Sequence, residues 1–345
     1  MDYGRDTEKL LSRIEQYCSE AYQQERDAGH VKGFTLDMNN LEVHSLPDLR
    51  GLPPIKILTC MNVPLKSLPP LPEMLEELYI GPSEITVLPE LPATLRTLFV
   101  PNSPLVRLPT PLPPCLELLY CSATFITSLP PLPPTLERLY CGHIHMTHLP
   151  PLPPNLKELS IDHTQISNLP PLPSSLLFLS CKSTKLPAIP KLPDGFLRLE
   201  CDGNPQIKSL PRLPPLLNFL SCRNTNITDL PPIPSTLKTL LCCDAKIRSF
   251  PDLPPALFHR NPMDRLGIFS NLDFDRYCHP SLYQGDDEAL EDFFLRWSDW
   301  LSMDRVNFRT KLLAEDLIAT TWHPDRFERW CLDEDEKREN IALFA

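Results

Sequence analysis

The sequence predicts a solenoid of short parallel strands, and three observations carry the prediction. A Leu-Pro element recurs at Leu68, Leu88, Leu108, Leu129, Leu149, Leu169, Ile189, Leu210, Leu230 and Phe250, in steps of 20 or 21 residues. A fixed period of this length means stacked units, none of which buries its apolar side alone. Aligning the units also aligns their apolar residues into columns. Finally, the 43 prolines stand at fixed places beside leucines. Such a proline content alone suggests disorder, but regularly placed leucines bury enough surface to offset the ordering entropy. Function in a chain of this kind belongs to a surface built by stacking rather than to a pocket.

One unit reads L-x-x-L-x-C-x-x-T-x-I-x-x-L-P-x-L-P-x-x, as in Leu116, Leu119, Cys121, Thr124, Ile126, Leu129 and Leu132. Its first half fits the leucine-rich repeat pattern. Leu119-Tyr120-Cys121 alternates in, out, in, as a short strand does, and neighbouring copies pair in parallel about 4.8 Å apart. The second half cannot join a ladder or a helix, because its prolines lack an N–H and clash with a helical turn. It reads as extended, polyproline-like backbone with leucines inward. The predicted fold is therefore a leucine-rich repeat solenoid. Short parallel β-strands line its concave face and extended segments its convex face, with an N-terminal helical cap and a C-terminal α-helical module.

Three inward columns define the predicted core. One runs Leu78, Leu98, Leu119, Leu139, Leu159, Leu179, Leu199, Leu220, Leu240. The next runs Cys60, Ile80, Val100, Cys121, Cys141, Ile161, Cys181, Cys201, Cys222, Cys242, where cysteine stands in for small hydrophobes. The third runs Ile85, Leu105, Ile126, Met146, Ile166, Leu186, Ile207, Ile227, Ile247. At the asparagine position of such repeats stand Thr124, Thr164, Thr184, Asn204 and Thr225, whose polar atoms are expected to bond the turning backbone.

These residues resemble the LPX class of leucine-rich repeats, with its L-P-x-L-P motif and 20-residue period, known from Gram-negative effectors of the IpaH and YopM type. The resemblance covers roughly residues 46–257. Cysteine replaces that family's usual valine or leucine in the strand. A second likeness is to the proline-rich leucine-rich repeat proteins of large DNA viruses. The phrase Trp322-His323-Pro324-Asp325-Arg326-Phe327 looks like a tail motif of such viral proteins.

Residues 1–32 are expected to form the N-terminal cap, 33–257 the solenoid and 258–345 the C-terminal module. In the first, Leu10, Leu11, Ile14, Cys18 and Ala21 recur at helical spacing behind Asp6 or Thr7. This helix reads as a cover for the first repeat's core or as a partner-binding helix. Residues 33–60 hold an irregular first repeat with Leu36, Leu41 and Leu46 inward. The last segment holds all four tryptophans and three helical patterns: 286–301, a second behind Asp304, and a third after Pro324. It reads as a terminal cap or a docking module.

The outward strand column faces the concave side and reads Tyr79, Phe99, Tyr120, Tyr140, then Ser160, Ser180, Glu200, Ser221. The column before it contains Arg138, Glu158, Phe178, Arg198 and Phe219. Aromatic and arginine side chains fit the profile of binding hot spots. Aromatic residues also favour strands and stack across them for structural reasons. The candidate partner-binding residues are Tyr79, Phe99, Tyr120, Tyr140, Arg138, Glu158, Phe178 and Arg198.

A net charge of −11 makes nucleic acid and anionic membrane poor partners. No apolar run approaches a membrane span, and the charged N-terminus lacks a signal core. Of 12 cysteines, seven occupy one core position, so they read as reduced thiols of a cytoplasmic protein rather than a disulfide framework. That compartment is a host cytosol if the chain is viral or effector-like. His143, His145, His148 and His163 read as solvated turn residues, and neither a metal nor a cofactor is expected. No phosphate-binding glycine loop, H-E-x-x-H or G-x-S-x-G occurs.

The function expected is a non-enzymatic, monomeric scaffold or adaptor that binds a protein on its concave face. The alternative comes from the resemblance: that bacterial family often carries a ubiquitin ligase domain with a C-x-D motif, and Cys331-Leu332-Asp333 matches it. The family's catalytic domain is a much larger helical unit than residues 258–345, which weighs against that alternative.

Overall fold

A computed structural model describes residues 33–242 except 42, 51 and 53, together with 245–247, 251 and the backbone of 266–267. The N-terminal helix, the three C-terminal helical patterns and Cys331 lie outside the described residues.

Each repeat contributes one strand to a single parallel sheet. The strands are β1 (Phe34–Asp37), β2 (Ile55–Met61), β3 (Glu77–Gly81), β4 (Thr97–Phe99), β5 (Leu118–Tyr120), β6 (Arg138–Tyr140), β7 (Glu158–Ser160), β8 (Phe178–Ser180), β9 (Arg198–Glu200), β10 (Phe219–Ser221), β11 (Thr239–Leu241) and β12 (Leu266–Gly267). They lie side by side in sequence order. Register follows the leucine column: Leu78 pairs with Leu98, Leu98 with Leu119, Leu119 with Leu139, and so on to Leu220 with Leu240. Between strands the chain is almost wholly neither helix nor strand among the described residues, as the prolines require. The architecture is a leucine-rich repeat solenoid.

All three predicted columns are buried, and the first is wholly inaccessible from Leu78 to Leu240. The cysteine column does more than fill space. The Sγ–H of Cys141, Cys181 and Cys201 donates weakly to the carbonyls of Ser160, Glu200 and Ser221, one repeat along, at 3.6, 3.4 and 3.3 Å. Desolvation holds these thiols protonated: burial pushes Cys60 and Cys121 up to about 12. One core assignment is corrected: Leu36 and Leu46 are buried, but Leu41 is exposed. It follows Asn40, whose φ of 60° turns the chain and points the next side chain outward.

The turn after each strand has a fixed conformation. Asn62, Asn102, Ala123, His143, His163, Ser183, Gly203 and Asn224 all take positive φ at the same place in the repeat. In the repeat of β3 that place is Pro82, which cannot. There Gly81 takes the positive φ one residue earlier, at 133°, and a Cβ on it would sit 2.4 Å from the carbonyl oxygen of Pro101. The predicted polar column then closes the turn. Thr124, Thr164, Thr184 and Thr225 donate to the carbonyls of Cys121, Ile161, Cys181 and Cys222 at 2.7–3.1 Å.

A second set of clips, not anticipated from the sequence, joins several repeats to the one before. The amide of the first strand leucine closes a turn on a proline carbonyl three residues back, as in Leu136 to Pro133 at 3.1 Å. The hydroxyl just ahead of it reaches back across the stack. Thr135 donates to Pro114 and Leu116, Ser175 to Pro154 and Leu156, and Thr236 to Pro215 and Leu217, all at 2.7–2.9 Å. Proline-rich backbone has acceptors to spare, because each proline carbonyl keeps its lone pairs while offering no donor.

Candidate functional site

The outward face of the sheet carries two different side-chain systems on one register. On β3 to β6 the column is aromatic. Its ring centroids are 5.9 Å apart from Tyr79 to Phe99, 4.6 Å from Phe99 to Tyr120 and 5.3 Å from Tyr120 to Tyr140. The strand spacing imposes this contact, since side chains on neighbouring parallel strands stand within van der Waals reach. The rings therefore shield one another. Phe99 and Tyr140 are 9% and 7% exposed, leaving Tyr79 and Tyr120 as the half-buried members. The row is thus less open than four outward aromatics suggest.

The phenol groups are anchored. Tyr79 donates to Glu77 at 2.7 Å, and Tyr140 donates to Glu158 in a short bond. Burial pushes the Tyr120 phenol above its usual range, against a hydrogen bond with Ser122 that works the other way. Arg138 and Glu158 are register partners on β6 and β7. The candidate residues from Tyr79 to Glu158 thus form one continuous group.

On β7 to β10 the same column is polar, yet it is mostly buried. Ser180, Glu200 and Ser221 are 2%, 5% and 1% exposed, although they point outward. What covers and satisfies them is the residue two places further along each repeat. That position reads Ser122, Gly142, Asp162, Lys182, Asp202, Arg223. Asp162 accepts from the Ser180 hydroxyl at 2.7 Å and from the backbone N–H of Lys182 at 2.7 Å. Asp202 does the same one repeat pair later, with Ser221 at 2.6 Å and the N–H of Arg223 at 2.7 Å, and also receives the Arg223 guanidinium. In the aromatic half only Ser122 plays this part, accepting from the Gly142 N–H at 3.1 Å.

Charge follows the same alternation. Glu200 receives Lys182 at 2.6 Å and also Arg198. Burial pushes Glu200 up, but the two cations outweigh it and hold its carboxyl below the usual range. Asp162 goes the other way. Burial, aided by Glu200, raises it to about 6 despite Lys182 and Ser180. The sequence reading passed over this ladder. Its signal was the Asp-Lys-Asp-Arg alternation in the position after the cysteine column.

Arg198 has one further feature. Its guanidinium carbon lies 4.0 Å from the Phe219 ring centroid and 5.7 Å from that of Phe178, its two register neighbours. Two predicted residues, Phe178 and Arg198, are thus brought together with Phe219, which was not among the candidates. On the turns after β6 and β7, His143 and His163 are exposed, as solvated turn residues are, and their rings stack at 4.3 Å and 20° from the same position of neighbouring repeats. Burial lowers both, with His163 and Lys182 respectively adding to it. Among the described residues no group of three or more metal-ligating side chains occurs, and no helix is long and apolar enough to cross a membrane.

No protein-family model matches the chain, and no curated protein matches it. Solved structures do. YopM from Yersinia enterocolitica is 26% identical over 69% of this chain, with a TM-score of 0.48. This chain covers 66% of that structure, a little under two thirds of its length. YopM from Yersinia pestis is 24% identical, with 73% of this chain and 88% of that one covered and a TM-score of 0.44. The functional domain of InlJ from Listeria monocytogenes, which includes a cysteine ladder, is 18% identical over 67% of this chain and 63% of its own, with a TM-score of 0.42. All three are bacterial, so the likeness to viral repeat proteins finds no support among them. The fold assignment itself rests on the register and columns described above.

Proposed function

We propose that this leucine-rich repeat chain is a non-enzymatic scaffold that binds a protein partner on the outward, strand-bearing face of its sheet, the concave face of the predicted solenoid. The observation that supports it most is the contiguous ring row, one aromatic per repeat from Tyr79 to Tyr140. Tyrosine and arginine supply much of the binding energy of protein interfaces. Tyr79 and Tyr120 are the accessible rings, Phe99 and Tyr140 hold them in place, and Arg138 and Glu158 give the row charge specificity. The buried, protonated thiol column suits the cytosol, of a host if the chain is an effector or viral protein.

The test is affinity capture from cytosol with mass spectrometry, comparing the wild type with Tyr120→Ser/Tyr140→Ser. A single protein retained by the first and lost by the second, with both forms melting as folded arrays, is the expected result. Identical capture lists from two folded proteins would show that the row is only structural.

A further inference from the structure

The second half of the face holds a group that its own packing does not use up. Arg198 lies over the Phe219 ring, 4.0 Å from its centroid, and within cation–π reach of the Phe178 ring at 5.7 Å. Its Nε and Nη2 edge is taken by Glu200. Nη1 makes no hydrogen bond among the described residues, and the side chain stays 46% exposed. A guanidinium seated over one ring, near a second and fixed along one edge by Glu200 has lost much of its rotamer freedom before any ligand arrives. Preorganisation of this kind lowers the cost of binding. The remaining edge is a planar pair of donors, which matches a carboxylate bidentately.

The surrounding charges narrow the choice of ligand. Facing this site are Lys182 and Arg223 as cations and Asp162, Glu200 and Asp202 as carboxylates. Asp202 is taken up by Arg223, and Asp162 by Ser180 and a backbone N–H. Glu200 is shared between Lys182 and Arg198. With those carboxylates already paired, the remaining edge of Arg198 offers one planar donor pair, the geometry of a single carboxylate. Arg198 on β9 lies four strands from Tyr120 on β5, the nearer of the accessible rings, roughly 19 Å at the usual strand spacing. An extended peptide covers that distance in about six residues.

On the premise that the sheet face is the binding face, we infer that Arg198, held between Phe178 and Phe219, receives a carboxylate of the partner. The fitting partner is an extended segment with an acidic side chain about six residues from an apolar one, the apolar side chain resting on the Tyr120 end of the tyrosine row.

Panning the full chain against a displayed library of random linear peptides tests this directly. The expected selection shares an Asp or Glu at that spacing from an aromatic, aliphatic or proline residue. Synthetic versions should lose tenfold or more in affinity for Arg198→Gln, as for loss of a charge-assisted bond. Arg198→Lys should lose nearly as much, because lysine keeps the charge but not the planar fork. Phe219→Leu should lose less. Melting curves separate any folding defect. Acid-free peptides, or acidic ones indifferent to Arg198→Gln, overturn the carboxylate clamp. If those peptides are still lost with Tyr120→Ser/Tyr140→Ser, the face survives and only the clamp falls. Peptides indifferent to every variant, or no enrichment at all, count against both.

Discussion

Tyr79, Phe99, Tyr120 and Tyr140 on β3 to β6 lean on one another through their rings, while Ser180, Glu200 and Ser221 on β8 to β10 are held by carboxylates and cations from neighbouring turns. Backbone register is the same in both regions. What differs is how an outward column is taken out of water. The aromatic half does it by area, and each ring contributes in proportion to the surface it covers. The charged half does it by pairing, and a pair that loses one member leaves the other stranded. The first should yield gradually to substitution and the second abruptly.

The largest effect should therefore follow Asp202→Leu. It takes the acceptor from the Ser221 hydroxyl and from the Arg223 backbone N–H and removes the carboxylate beside the Arg223 guanidinium, and breaking a buried pair in this way costs about 3–5 kcal/mol. Urea denaturation would read it, and a loss below about 1 kcal/mol would dissolve the contrast between the halves. In the aromatic half, Phe99→Ala removes a buried ring between two neighbours and should cost about 3 kcal/mol. Phe99→Leu should recover most of that, because area rather than pairing is what was lost.

A third comparison uses pH. Asp162 sits at about 6 in the fold against an ordinary 3.8. The folded state thus binds the proton more tightly than the unfolded chain. Its stabilising contribution is full below pH 3.8 and is lost as pH rises to about 6, for a total of up to about 3 kcal/mol. Glu200 has the opposite sign, since its lowered carboxyl contributes above the ordinary glutamate range and is lost on acidification. Asp162→Asn should remove the first slope and keep the second. Stability of the variant would then rise out of the acid range and level off by about pH 5, without the wild type's fall toward pH 6, and an unchanged difference from wild type between pH 4 and 6 would refute the assignment. The smallest effect is Ser122→Ala, at the position that Asp202 holds in the charged half: it takes the acceptor from the Gly142 N–H and the Ser122 bond from the Tyr120 phenol, both neutral groups, for about 1–2 kcal/mol.

The solenoid was legible because its period is rigid. Leu98, Leu119 and Leu139 pair as the spacing required, and the threonine column closes the turns it was expected to close. Leu41 was misplaced because the first repeat departs from the period, so alignment gave no column to place it in. The face was legible as a list of outward residues but not as a surface. Outward on a strand does not mean exposed when neighbours stand at strand spacing, and Phe99, Tyr140 and Glu200 are all buried by what flanks them. The Asp162-Lys182-Asp202-Arg223 ladder was in plain view as an alternation of sign. It lies just past the strands, where the inward and outward alternation that marks strand positions has ended.

The thiol column has a consequence of its own. Cys60, Cys121, Cys141, Cys181, Cys201, Cys222 and Cys242 each belong to a different turn of the stack, and all are shut off from solvent. A small alkylating reagent can reach any one of them only when its own turn comes open. Timed labelling with peptide mapping would thus return a separate clock for each of these seven turns, without any introduced probe. The molecule carries its own record of where along its length it opens and how often.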